Sequence, residues 1–318
     1  MNILSKRPRL LALAIATGAA WPTAAFAEEG GSGHYAPGAS ASFVDALPGR
    51  PGLAVANYFM YYDSSASGTL PIGGQLTFDS RAQAYSDSLM LMYDTNLKLL
   101  GGHYVPAVAV THVSMELDGN VATPTNTGRM RDTADGLGDI VVYPFMLGWV
   151  KNDFKYDLRL GIYVPTGEYE AGRLANVGKN YWTFEPMVSV SWLSSKIGTE
   201  VSVYAGFDFN TRNEETDYHS GDVFHLDVTV AEHLPLGKLG LVGLGANAFY
   251  YQQFTGDSGR GAVLWDFEGL TVGVGPALSF TAKLGKYNLA AELKWLPELD
   301  VQNRLKGDYL WFKLGMAF

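Results

Sequence analysis

The sequence predicts an all-β chain, a transmembrane antiparallel β-barrel of about twelve strands with both termini on the periplasmic side. Three observations predict it. The chain ends inside an amphipathic strand, it opens on a secretory signal, and short and long connections alternate between its strand-like segments.

The last ten residues, Tyr309-Leu-Trp-Phe-Lys-Leu-Gly-Met-Ala-Phe318, alternate strictly. Strand side chains alternate with period two, so Leu310, Phe312, Leu314, Met316 and Phe318 share one face. Trp311, Lys313, Gly315 and Ala317 share the other. One face suits lipid, the other water or packed polar groups. In a closed barrel such a terminal strand pairs with the first, leaving no open edge. The strand ending at Phe318 is also the expected contact for the barrel-assembly machinery of the outer membrane.

At the other end, Lys6, Arg7 and Arg9 precede an apolar stretch from Leu10 to Ala20 and a small-x-small site at Ala25-Phe26-Ala27. This is the pattern of a secretory signal, with residues 1–27 removed and the mature chain starting at Glu28. The signal carries three basic and no acidic residues, so its loss takes the net charge from −9 to −12. An acidic chain of this kind is no partner for nucleic acid. Zero cysteines exclude disulfides and thiolate metal sites.

Mean hydropathy is +0.01, and no apolar run after the signal is long enough for a transmembrane helix. Barrels conceal themselves in such averages, because lipid-facing and lumen-facing residues alternate. Eighteen Tyr, 16 Phe, 7 Trp and 37 Gly fit interfacial aromatic girdles and small inward positions.

Strands are expected at about 52–62, 83–95, 103–116, 137–149, 154–166, 180–193, 198–210, 222–234, 238–252, 267–283, 287–297 and 307–318. Short turns fall at 151–153, 194–197, 235–237 and 284–286, and 96–102 is long for that side. Long loops are expected at 63–82, 117–136, 167–179, 211–221, 253–266 and 298–306. Alternation is clearest where Val201, Val203, Ala205 and Phe207 oppose Glu200, Ser202, Tyr204 and Asp208. No charge falls on the apolar face of the clear segments, where an Arg or Lys at the bilayer midplane would cost about 2–4 kcal/mol.

Residues 28–51 precede the barrel at 52–318 and are too few for a domain. They form either a loose periplasmic tail or a segment inserted in the lumen through Phe43, Val44 and Leu47. The inward face offers Asp139, Asp157, Arg159, Glu185, Glu200, Asp208, His225, Asp227, Glu292, Lys294 and Lys313 as lumen or constriction residues. Mixed charge of this density can set ion selectivity, or it can pair across neighbouring strands and fill the barrel. Arg159, Lys294 and Lys313 are the cationic candidates, with Glu185, Glu200 and Asp227 opposite. A break in the wall is to be sought at Pro106, Pro144, Pro186 and Pro276.

His112 and Ser114 stand on one strand face, within reach for base activation of a hydroxyl. The spacing resembles that of outer-membrane phospholipase, but Met115-Glu116 follows the Ser, and 137–149 brings no acid beyond Asp139 to orient the His. No catalytic residues are assigned on this basis and no enzyme is expected. The six His are scattered without metal-ligand spacing, and neither a metal nor a cofactor is predicted. Glu214, Glu215 and Asp217 read as a solvated acidic loop.

The middle of the chain carries Gly136-Leu-Gly-Asp139 with Tyr143-Pro144 and Trp149, then Val164-Pro-Thr-Gly167 with Tyr169, then Asn176-Val-Gly-Lys-Asn180-Tyr-Trp182 leading to Glu185-Pro186. Taken together these resemble the family of outer-membrane channels associated with the meta-pathway of phenol degradation. The resemblance implies a twelve-stranded barrel and a channel or transporter role linked with aromatic or other hydrophobic compounds. The expected function is passive uptake of small solutes through a narrow lumen, since twelve strands lie between filled eight-stranded barrels and wide porins. A lipid-active barrel enzyme and a non-conducting structural or adhesion barrel are the alternatives. Expected partners are outer-membrane lipids, lipopolysaccharide and a small-molecule solute, and the expected location is the bacterial outer membrane.

Overall fold

Pairing of the last strand with the first closes the sheet. In the computed structural model, which describes residues 31–47, 49–72, 75–122, 127–262 and 268–318, β1 (Gly52–Ile72) is flanked by β2 (Gln75–Asp94) and by the final strand, β15 (Lys306–Ala317). The signal at 1–27 lies outside the described residues. A small hairpin, β3 (Lys98–Leu99) and β4 (Gly102–Tyr104), fills the link that is long for a short turn. The chain continues through β5 (Ala107–Ala122), β6 (Thr127–Leu137), β7 (Ile140–Lys151), β8 (Phe154–Val164), β9 (Thr183–Leu193), β10 (Thr199–Asn210), β11 (Val223–Pro235), β12 (Leu241–Gln253), β13 (Leu270–Leu284) and β14 (Tyr287–Gln302). The wall runs β1-β2-β5-β7 and then in sequence order from β8 to β15, a closed ring of twelve antiparallel strands. Closure leaves no unpaired edge among the wall strands, which is how a sheet survives in hydrocarbon. Among the described residues no helix is long and apolar enough to cross a membrane.

The alternation read from the sequence is the alternation of the wall. In β15, Trp311 and Lys313 are buried, while Leu310, Phe312, Leu314 and Phe318 lie on the outer surface. In β10, Glu200, Ser202, Tyr204 and Asp208 are buried, and Phe207 and Phe209 face outward.

Two of the expected long loops are strands instead. β1 and β2 stay paired up to Ile72 and Gln75, and residues 117–122 pair with 127–132 as the upper part of the β5–β6 ladder. Sequence periodicity vanishes there because the buried face is largely small and polar, with Ser64, Thr77 and Ser80 on it, and Ser64-Ser-Ala-Ser67 carries no apolar alternation, yet antiparallel backbone pairing needs none. Cross-strand ion pairs take over: Arg81 with Asp63 at 2.9 Å, Arg129 with Asp118 at 2.6 Å, and Arg131 with Glu116 at 2.5 Å.

Of the four prolines, Pro144 accompanies a bulge in β7, where the register against β8 shifts between Val142 and Phe145. Pro106 lies just before β5, which pairs with β7 over only Ala107, Val108 and Ala109 before β6 displaces that strand. Pro276 sits in a stretch of β13 that pairs with β12 but not with β14, while Pro186 pairs regularly with Leu160.

Candidate functional site

The first described residues pack against inward-facing side chains of the barrel wall. A single 3-10 turn, Phe43–Asp45, is capped at both ends of its box: Ser42 Oγ accepts from the Val44 N–H, and Asp45 accepts from the Ser42 N–H. Irregular backbone at membrane depth must find its hydrogen bonds within the protein. The wall provides them through the side chains whose inward phase the sequence reveals.

Lys313 Nζ reaches the Asp45 carboxylate at 2.7 Å, and Arg159 donates to the Asp45 carbonyl at 2.6 Å. Arg159 is held by Asp157 through two bonds of 2.7 and 2.9 Å. Glu292 lies 3.0 Å from Lys313 and 3.2 Å from Lys294, whose Nζ donates to the Gly38 carbonyl at 2.5 Å. Glu200 accepts from the Phe43 N–H at 2.7 Å and faces His233 at 2.6 Å. Asp227 takes the Gly38 N–H at 2.9 Å and the hydroxyl of Tyr35. Tyr204 and Trp311 donate to the carbonyls of Ser42 and Pro37 at 3.0 and 2.9 Å. The bonds that involve a carboxylate, ammonium or guanidinium contribute roughly 1.5–3 kcal/mol each, and the two neutral ones about 0.5–1.5 kcal/mol.

All eleven inward candidates, from Asp139 to Lys313, are buried. Arg159, Lys294 and Lys313 do not oppose Glu185, Glu200 and Asp227 across an open pore. Arg159 and Lys294 pair within their own strands with Asp157 and Glu292, Lys313 pairs with Glu292 of the neighbouring strand, and all three reach the inserted segment. Of the three insertion candidates, Leu47 is fully packed, its side chain against Gly148, where an added Cβ would stand 3.0 Å away. Phe43 is half-buried, edge-on to His233 at 5.3 Å with Lys155 over its face. Sequence reasoning missed Tyr35, His34, Asp45 and Trp311 as anchors, because each acts on a partner more than a hundred positions away, and it missed His233, whose partner Glu200 lies on the neighbouring strand.

The segment divides the remaining space in two. Toward the short turns lies a cavity of about 460 Å³ bounded by Phe43 to Ala46 and the ends of β1, β13, β14 and β15. Toward the long loops lies one of about 300 Å³, lined largely by apolar side chains of β1, β2 and β5, among them Met60, Ala84, Met90, Val113, Met115 and Leu117. Tyr58 lines both.

On the outer surface, the acid beside His112 and Ser114 comes from β6 and not from 137–149. Asp135 is the cross-strand partner of Ser114, and its carboxylate stands 3.6 Å from His112 Nε2, beyond hydrogen-bond reach. His112 and Asp135 are both well exposed.

The motif residues of the middle of the chain converge on one carboxylate. Asp139, in the two-residue break between β6 and β7, accepts from the N–H groups of Thr166 and Gly167, both at 2.9 Å, and of Lys179 at 2.8 Å. Gly167 and Gly178 touch so closely that a Cβ on Gly178 would lie 2.4 Å from the Gly167 carbonyl oxygen. The same carboxylate bonds His34 Nε2 at 2.9 Å, and His34 Nδ1 meets Thr183 at 2.7 Å. The motif thus ties three wall and loop segments to the inserted segment. Residues 65–314 match the family described as "Putative MetA-pathway of phenol degradation". The chain belongs to that family.

Among solved structures, it is similar to an outer membrane channel from Pseudomonas putida F1, with 14% identity and a TM-score of 0.60 over 89% of this chain and 100% of that one. A looser likeness, 14% identical with a TM-score of 0.46, covers 85% of this chain and 99% of the β domain of the Bordetella autotransporter BrkA. None of the curated proteins matches the chain.

Proposed function

We propose that this family member is an outer-membrane channel for passive uptake of small hydrophobic or aromatic compounds, exported with loss of residues 1–27. The observation that carries the reading is the apolar wall of the 300 Å³ cavity, left uncovered by a segment that spends its hydrogen bonds on the opposite, charged wall. Water-filled sieves for polar solutes line their lumen with charge and leave it open; here much of the inward charge holds the segment, and the cavity beside β1, β2 and β5 is lined mostly by apolar side chains. Membership of a family linked by its description to phenol degradation supports the same class of cargo.

The test is uptake by the mature chain in proteoliposomes, with a radiolabelled monoaromatic compound compared against a sugar of similar size. Faster entry of the aromatic compound than in protein-free vesicles, with little sugar entry, is expected. Equal acceleration of both would make this a general pore, and acceleration of neither would end the transport reading. A lipid-hydrolase reading rests on less, since the 3.6 Å gap leaves His112 without an orienting hydrogen bond. Ser114→Ala is expected to leave both uptake and vesicle phospholipid unchanged.

A further inference from the structure

A second cluster of ionisable side chains lies on the lumen wall beside those that anchor the inserted segment. Glu185 of β9, Asp208 of β10 and His225 of β11 bring one carboxylate oxygen each and a ring nitrogen within 4.8 Å of one another, all buried. The strands are consecutive neighbours, inward phase turns the three side chains to the lumen, and the register between the strands puts them at one height of the wall.

Two glycines clear the room. A Cβ on Gly206, the cross-strand partner of His225, would stand 2.5 Å from His225 Nε2, so the imidazole leans across β10 toward β9. A Cβ on Gly161, partner of Glu185, would stand 2.8 Å from Glu185 Oε2. On its other face the imidazole carries the Tyr35 ring, stacked at 3.6 Å and 15°. The ring therefore has one orientation, fixed by packing.

The separations match a metal polyhedron. His225 Nε2 is 3.2 Å from Glu185 Oε1 and 3.7 Å from Asp208 Oδ1. Two ligands at the usual 2.0–2.2 Å from a tetrahedral zinc ion lie about 3.4 Å apart. Glu185 Oε1 and both ring nitrogens of His225, although wholly buried, make no aligned hydrogen bond within the described residues. Buried polar atoms of this kind cost free energy unless something coordinates them. Two carboxylates and a neutral imidazole offer two negative charges, the complement of a dication, and an imidazole in the set selects a first-row transition ion over calcium or magnesium.

We propose that Glu185, Asp208 and His225 form a binding site for a divalent transition-metal ion, of the zinc class, on the lumen wall behind Tyr35. The ion would sit between three adjacent strands with a coordination position left for water or for a group entering the lumen. The site is independent of the aromatic-uptake reading, since it concerns the charged wall.

The experiment uses the full mature chain, folded in detergent micelles and stripped with a chelator, then dialysed against Zn²⁺ with Ca²⁺ in excess. One Zn²⁺ retained per chain is expected, with affinity falling at least tenfold in His225→Gln, consistent with the sensitivity of metal sites to their ligand environment. Glu214→Gln with Glu215→Gln, in the exposed loop, should leave it unchanged. X-ray absorption of the Zn²⁺-loaded wild-type chain should show a single imidazole among oxygen ligands, and it decides the matter even if the His225 variant does not fold. No retained Zn²⁺, displacement by Ca²⁺, unchanged affinity in a folded His225→Gln barrel, or a spectrum without imidazole would each overturn the proposal.

Discussion

The two halves of the lumen wall solve different problems. From β8 to β15 the inward positions carry Asp157, Arg159, Glu200, Asp227, Glu292, Lys294 and Lys313, and these grip an irregular stretch of backbone. From β1 to β5 the inward positions include Met60, Ala84, Val113, Met115 and Leu117, which line the 300 Å³ cavity, and Ala56, Met90 and Ala109, which cluster with Leu47 of the segment. The contrast shows that charge in this barrel is a fastening device. A buried charge is tolerated only when paired, so charge is concentrated where the segment's backbone needs hydrogen bonds, while the apolar half receives side chains such as Leu47.

The strongest way to break the contrast is to remove what the charged half holds. Deleting residues 31–47 should raise single-channel conductance in planar bilayers several-fold, because a polar half-lumen would then be wet and open. Unchanged conductance would mean that the segment does not limit the pore. Next in size, Asp45→Ala takes from Lys313 the nearer of its two carboxylates, leaving Glu292 at 3.0 Å, and should cost roughly 1.5–3 kcal/mol, the scale of one charge-assisted bond. Urea unfolding in vesicles measures it, and a cost under about 1 kcal/mol, the scale of an exposed pair, would show that the lumen solvates Lys313 by itself.

On the apolar half, Met115→Glu should leave stability nearly intact but slow entry of the monoaromatic probe on the order of tenfold, since a charge in a greasy cavity must stay hydrated and fills it with water. An unaltered rate would move the path elsewhere. The smallest effect belongs to neither half. In the long loops, hydrogen bonds from Arg260 and Arg212 hold the Asp217 carboxyl below its ordinary value of 3.8. A folded value below the unfolded one means that this tie is complete above that ordinary value and is lost as pH falls through the lowered one. Proteolytic nicking of the loops at 211–221 and 253–262 should therefore begin only in strong acid, and Asp217→Asn should bring it to neutral pH.

Periodicity made much of this legible. The phase of β8, β10, β11, β14 and β15 named which side chains enter the lumen, because period two has only two answers and lipid forbids one of them. Phase says nothing of where polar strands stop, and β1, β2, β5 and β6 outrun the expected loops because backbone pairing continues after the hydrophobic signal ends. Residues 136–186 marked a family, yet only the folded chain shows that they converge on Asp139 and, through it, on His34.

The sequence by itself determined the class of fold, the inward side chains and the family, since these depend on local alternation and short motifs. Tertiary structure alone decided that the segment at 31–47 packs against inward-facing side chains of the barrel wall, that Lys313 meets Asp45 and that Glu185, Asp208 and His225 converge. The reason is range. Closing a ring of twelve strands sets the register between residues hundreds of positions apart, and no local pattern carries that information.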